Sequence, residues 1–171
     1  AGDTGCRQCP VSVTYGNAIK FSNRLSEYYG YNPAYAIDGD DVTWDPKANG
    51  YRLPVNDEWT YAALAGLDTE YAGSDTLDTV AWYRGNSGGS VQPVGQKKPN
   101  AWGLYDMSGN RPEWVWESDS QRGSPLKTTF NQRHYLRGGG YHDNTKKCRV
   151  DRMSRSQTHA RGIRLVRSTS P

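Results

Sequence analysis

Residue types able to do chemistry fall in three places. Cys6-Arg7-Gln8-Cys9 has the spacing of a redox dithiol or of half a zinc site, yet the chain holds only three cysteines. The third, Cys148, is remote, and no second pair or nearby His completes four ligands. A local disulfide, or thiols left near a processed terminus, is the expected state of Cys6 and Cys9. In the second place, Asp106-Met107-Ser108-Gly109-Asn110-Arg111-Pro112-Glu113, two carboxylates flank a Gly-containing turn. Ca²⁺ suits such a turn because it collects several hard oxygens, backbone carbonyls included. The competing reading has Asp106 and Glu113 accepting from turn amides and a neighbouring Arg. The third place is the stretch from Tyr141 to Arg161, whose Tyr, His, Asn, Ser, Thr and Arg side chains are suited to contact rather than bond-making. His134, His142 and His159 share no metal-ligand spacing and read as contact or surface residues.

The elements that position these residues can be read from periodicity. Ala18, Phe21, Leu25 and Tyr28 recur at helical spacing between Thr14 and Tyr29, with Gly30 as the stop. Tyr35-Ala36-Ile37, the turn pair Asp38-Gly39 and Val42-Thr43-Trp44 predict a hairpin. A second helix is predicted over 56–65, with Trp59, Ala62 and Ala63 on one face, Asp57 and Glu58 favourable at its start and Gly66 closing it. Residues 68–100 show little periodicity and read as a long loop. Short strands are predicted at 103–107, 113–116, 135–141 and 162–166. The order is helix, hairpin, helix, loop, then strands, which implies an α+β fold rather than an alternating parallel sheet.

Composition limits the functional classes. A chain of 171 residues suits one domain over 1–171. Nineteen Gly, nine Pro, six Trp and twelve Tyr against two Phe and two Met describe a turn-rich fold packed by amphipathic aromatics. A net charge of +3 is too mild for a nucleic-acid binder, so no nucleic-acid partner is expected. No stretch reaches the roughly 20 apolar residues of a membrane span, and residues 1–20 lack a signal peptide's apolar core.

Several segments together carry a family resemblance. Pro10-Val11 and Ala18-Ile19-Lys20-Phe21-Ser22-Asn23-Arg24-Leu25-Ser26 come first. Gly50-Tyr51-Arg52-Leu53-Pro54, Glu58-Trp59 and Tyr61-Ala62-Ala63 follow. Asn100-Ala101-Trp102-Gly103-Leu104-Tyr105-Asp106-Met107-Ser108-Gly109-Asn110 with Glu113-Trp114-Val115 is the most specific part. Leu136-Arg137-Gly138-Gly139-Gly140-Tyr141, Cys148-Arg149 and Gly162-Ile163-Arg164-Leu165-Val166 complete it. The chain resembles the formylglycine-generating, sulfatase-modifying family, in order from about residue 10 to residue 167. The resemblance implies a loop-rich variant of the C-type lectin fold. It carries a structural calcium site onto Asp106, the backbone of Gly109 and Arg111, and Glu113. A further family calcium site would fall in the 84–98 loop, which has no carboxylate, and is expected to be missing.

The resemblance allows three functional readings. The family's oxidase looks like a copper-thiolate catalyst with two cysteines after the Gly run. Here the second position is Cys148 and the first falls on Asp143. One thiolate beside a carboxylate cannot supply two soft ligands to Cu(I), so no catalytic residue and no copper are expected. Among lectin-fold relatives, the chain looks most like variable proteins of diversity-generating retroelements, of the Treponema type. There, adenines are randomised chiefly in Asn codons. Changing the first two bases of an Asn codon reaches Tyr, His, Asp, Thr, Ser, Arg, Ala and others, never Lys, Gln, Glu, Met or Trp.

Tyr141, His142, Asp143, Asn144, Thr145, Asp151, Ser154, Arg155, Ser156, Thr158, His159, Ala160 and Arg161 lie in the reachable set and are the candidate ligand contacts. Arg111 and Trp116, beside the Glu113 turn, are expected to border the face, giving a variable segment of about 111–164. Lys146, Lys147, Met153 and Gln157 fall outside the set and read as scaffold. Cys148, Arg149, Val150 and Arg152 match the family frame. The expected function is a ligand-binding surface protein with a diversified C-terminal face. The expected partner is a protein, slightly ahead of a glycan, on a host or neighbouring cell. Kinship suggests a cell-surface or extracellular location, lipid-anchored in the full-length precursor. The third reading, a fixed-specificity lectin-like module, suffers from few terminal carboxylates besides Asp143 and Asp151.

Overall fold

Thr14 opens the first helix: its side-chain oxygen accepts from the Asn17 amide at 3.3 Å, capping α1 (Tyr15–Tyr28). The structure is a computed structural model that describes residues 6–118, 125–157 and 159–168. The buried stripe of α1 is Tyr15, Ala18, Ile19, Ser22 and Ser26. This corrects the expected apolar face, since Phe21 is 46% and Tyr28 81% exposed. Two serines make the inward face: their hydroxyls donate to the carbonyls four residues back, both at 2.8 Å, and Ser26 Oγ also accepts from the Tyr51 amide at 2.7 Å. Small back-bonded side chains allow a closer backbone approach than bulky ones, which periodicity alone does not reveal.

Two compact units emerge, each assembled from segments distant in sequence. One comprises 12–56, 114–135 and 155 onward. In it the predicted hairpin forms from β1 (Tyr35–Asp38) and β2 (Asp41–Trp44), with Tyr35 opposite Trp44. β3 (Tyr51–Arg52) pairs antiparallel with β8 (Val166–Arg167), and β5 (Lys127–Thr129), unsignalled in the sequence, pairs with β2. Most of a sheet ordered β4 (Glu113–Ser118), β6 (His134–Arg137), β7 (Ser154–Ser156) also belongs to this unit. Its core is aromatic: Tyr15 meets Trp114 edge-on at 5.6 Å, stacks on His134 at 3.3 Å and donates its hydroxyl to the Trp116 carbonyl at 3.1 Å.

The other unit holds 57–113 and 136–154 with the described residues up to Val11. Helix α2 (Asn56–Leu64) runs into it and buries Trp59 and Ala63, as its pattern predicts. The 68–100 region is less irregular than expected: it contains a one-turn helix, α3 (Leu77–Val80), and a bridge between Tyr71 and Ser74. Tyr71, Leu77, Val80 and Ala81 cluster with Cys148. The predicted strand at 103–107 is instead a series of turns. The Asn100 side chain organises it, donating to the Ala62 and Ala63 carbonyls at 2.7 and 3.1 Å and accepting from the Trp102 and Leu104 amides at 3.0 Å. Cys6 and Cys9 form a disulfide. No helix among the described residues is long and apolar enough to cross a membrane.

Candidate ligand-binding face

The 106–113 turn is a hub for surrounding loops. Asp106 and Asn110 both adopt positive φ, 56° and 55°, conformations that short polar residues tolerate. Asp106 Oδ2 accepts from the Gly95 amide at 2.8 Å, and Glu113 Oε2 accepts from the Trp59 indole N–H at 2.8 Å. Asn110 works on both sides: its side chain exchanges two 3.0 Å bonds with the Gln92 backbone, its N–H donates to Trp82, and its carbonyl accepts from Tyr141 at 2.8 Å. Gly109 has φ 77° and lies against the Trp82 backbone so closely that a Cβ has no room. The calcium site that the resemblance implies would draw on oxygens of Asp106, Glu113 and the Gly109 and Arg111 carbonyls. Among the described residues no three His, Cys, Asp or Glu side chains come together as a metal cluster. A cation here would therefore rest on two carboxylates and backbone.

The segment after Gly140 divides into exposed and structural side chains. His142, Asn144, Thr145, Asp151 and Ser154 are exposed, and Tyr141 is half-buried with its ring 5.0 Å edge-on from His142. Asn144 caps the short 3₁₀ turn Thr145–Cys148 by accepting from the Lys147 amide. Asp143 departs from expectation. It is 9% exposed, one carboxylate oxygen accepts from the Gly140 amide at 3.1 Å and the other lies 3.1 Å from Lys147 Nζ. It belongs to the frame rather than to the contact surface. Arg149 bridges Glu70 at 2.6 Å and Asp151 at 2.9 Å, and this guanidinium holds the Asp151 carboxyl below the usual carboxylate range.

In the other unit, Arg155 and His159 are exposed, Ala160 and Arg161 are half-buried, and Thr158 lies outside the described residues. The Arg161 backbone bridges Val13 in both directions, at 2.8 and 2.9 Å. Two expected contacts are corrected here. Trp116 is 2% exposed, stacked on Tyr35 at 5.0 Å with its indole N–H donating to the Pro125 carbonyl at 2.8 Å, so it is core. Ser156 is 6% exposed and likewise turned inward. Arg111 is half-buried within the turn.

Cys148 lies in the interior of its unit. It is fully buried, and burial first, then the Asp143 charge, pushes its thiol up to about 12 against a small opposing effect of Lys147. A reactive cysteine needs the reverse, a stabilised thiolate.

Sequence reasoning missed two hollows that the Arg149–Ser154 segment helps to line. One is a groove of about 310 Å³ lined by Leu136, Gly139, Lys146, Lys147, Arg152, Met153 and Ser154. The other, about 430 Å³, is lined by Thr60, Leu64, Asp68, Thr69, Glu70 and Arg149–Asp151. The available signal was the Lys146-Lys147 pair and Met153, which interrupt a run of otherwise reachable residues.

Residues 4–169 match the model of the Sulfatase-modifying factor enzyme 1-like domain. The chaperone protein LppX of Paenibacillus barcinonensis is 32% identical over 91% of this chain and 68% of its own. The formylglycine-generating enzyme of Streptomyces coelicolor is 30% identical over 64% of this chain, a match that spans 42% of the enzyme. Treponema denticola variable protein 1 superposes with TM-score 0.79 at 29% identity, covering 96% of this chain and 74% of its own. CarF does so with TM-score 0.80 at 29% identity, covering 98% and 70%. The hub turn, the Gly run and Cys148 all lie inside the matched span, and the chain belongs to the Sulfatase-modifying factor enzyme 1-like domain family, with its loop-rich α+β, C-type-lectin-like fold.

Proposed function

We propose that this domain binds a ligand through a C-terminal segment that a retroelement diversifies, on a frame that does no covalent chemistry. The carrying observation is the partition within 141–154: His142, Asn144, Thr145, Asp151 and Ser154 are exposed, whereas Cys148 and Val150 anchor the same stretch at 0% and 3% exposure. Small polar and aromatic side chains on a loop held by a rigid scaffold can be exchanged without refolding what supports them. Likeness to Treponema denticola variable protein 1 over 96% of the chain supports the reading. A relative named as a chaperone favours a protein ligand over a glycan. The surface of a cell, with the ligand on a host or neighbouring one, is the setting such a face suits. Sequencing independent isolates of the gene tests the proposal. Variation confined to codons of the exposed reachable residues is expected, and a uniform sequence overturns it.

The fixed-specificity lectin reading and the family's oxidase are weaker. The buried, hard-to-ionise Cys148 beside Asp143 lacks the paired soft ligands the oxidase requires. Calcium is proposed as a structural ion on Asp106, Glu113 and the Gly109 and Arg111 carbonyls, where it would reinforce the turn rather than touch the ligand. Chelation is expected to lower the melting temperature, and an unchanged melt of protein whose mass is metal-free overturns the idea.

A further inference from the structure

Of the residues lining the groove beside Met153, the proposed diversification leaves alone all but Ser154. Lys146, Lys147 and Met153 cannot arise from an Asn codon by changes in its first two bases, and Arg152 matches the family frame. Its apolar lining comes from Leu136, 2% exposed, and Met153, 51% exposed. Around them are three cations. Lys147 Nζ lies 3.1 Å from Asp143 and Arg152 Nε 3.7 Å from Asp151, while Lys146 makes no ion pair among the described residues. The second hollow has the opposite sign, with Asp68, Glu70 and Asp151 against Arg149 alone. An anionic group is drawn to the first hollow and repelled by the second. The apolar lining adds a second requirement. The polarizable, adaptable Met153 gains from covering its exposed apolar surface, so the anion should sit on or beside an apolar stem.

We infer that this groove is a largely constant subsite for an acidic peptide segment, in which a carboxylate side chain meets Lys146, Lys147 and Arg152 and an adjacent apolar side chain covers Met153. The inference rests on the reading of a protein-binding variable face and deepens it: the groove supplies an interaction common to many partners, and the exchangeable residues around it choose among them. A concave site of about 310 Å³ receives protruding side chains, which a flat layer of lipid headgroups does not offer, so the peptide is favoured over an anionic membrane.

The test titrates the full chain, by fluorescence anisotropy, with a short labelled peptide of alternating leucine and glutamate and with its glutamine counterpart. The glutamate peptide is expected to bind, the glutamine peptide about tenfold more weakly, and added salt to close that gap. Lys146→Glu should weaken the glutamate peptide by about tenfold, whereas Lys98→Glu, the same charge change elsewhere, should leave it within about twofold. Met153→Ser should weaken both peptides. Equal binding of the two peptides, or equal effects of Lys146→Glu and Lys98→Glu, overturns the subsite. Binding to phosphatidylserine vesicles without binding to the peptide also overturns it. Failure of the parent reading looks different: isolates with uniform sequences that still bind the glutamate peptide remove diversification and keep the groove, while varied isolates that ignore the peptide remove the groove alone.

Discussion

The hub turn at 106–113 and the segment from Tyr141 to Ser154 belong to one unit and follow opposite rules. In the turn, side chains serve other loops: Asp106 holds Gly95, Asn110 holds Gln92, and Glu113 holds Trp59. In the segment, most side chains face outward and the path is fixed by other means. Tyr141, Arg84 and Val150 donate backbone N–H groups to the carbonyls of Asn110, Asp143 and Glu70, at 2.8, 3.0 and 3.0 Å, and Cys148 is sunk in an apolar cluster. A loop tolerates sequence change when main chain and a few buried anchors hold it, because the exchanged atoms then carry none of its conformation. The contrast is therefore between anchors and passengers, and it can be broken residue by residue.

The largest effect is expected where an anchor cannot accept one more atom. Gly139 has φ 67°, and a Cβ there would lie 2.7 Å from the Lys147 carbonyl and 3.0 Å from Cys148 Sγ. Gly139→Ala combines backbone strain with a clash against main chain and should cost about 3 kcal/mol or more in chemical denaturation. A loss near zero would mean that the Gly run does not set the path of the segment. Asp143→Ala is expected next, at about 2 kcal/mol. It strips the Gly140 amide of a buried acceptor, with only a minor share from the Lys147 pair because that ammonium is exposed. His142→Ala, one residue earlier, should change stability by less than about 0.5 kcal/mol. If the neighbours respond alike, the division between anchor and passenger fails at its sharpest point.

That division was only partly legible in the sequence. The hairpin turn at Asp38-Gly39, the inward Trp59 face of α2 and the α+β class followed from local rules, since turn chemistry and helical period act within a few residues. The family motifs supplied the fold. What local rules could not see were non-local partners. The inward face of α1 uses Ser22 and Ser26 because a strand approaches there, and the predicted strand at 103–107 is overruled by Asn100 reaching back to α2. The same limit explains the site. Codon reachability treats Asp143, Ser156 and Asn144 alike, whereas burial separates them, and Trp116 reads as a border residue until its ring is seen stacked on Tyr35. The cationic groove escaped because residues were sorted by whether they could vary rather than by what they line.

Cys148 offers a test of its anchor role confined to alkaline solution. Its thiol is raised from an ordinary value of 9.0 to about 12 by burial. The native state thus keeps the proton longer than the unfolded chain, so the contribution to stability is whole below about pH 9 and is lost as pH rises toward 12. Denaturation midpoints should fall over that window in the natural protein and fall less in Cys148→Val. In the native protein near neutral pH, a thiol-specific reagent should leave Cys148 unmodified until denaturant is added. Rapid modification without denaturant would show an accessible thiolate and return the residue to candidate chemistry.

The smallest expected effect is also the most demanding of the comparison. Replacing His142, Thr145 and Ser154 together by Ala removes three exposed side chains, none of which provides a hydrogen bond to a distant part of the frame. Each of these surface substitutions lies within about 0.5 kcal/mol of neutral, so the triple variant should melt close to the parent. Asn144 is left out because its side chain caps the turn at Lys147, and an Asn144→Ala variant should lose about 1 kcal/mol. This separates two grades of exposed residue that diversification would treat as equal. If varied isolates carry only Asp, Ser, Thr or Asn at position 144 while ranging freely at 142, 145 and 154, the cap limits which sequences the segment can sample, and selection on folding is acting inside the binding face itself.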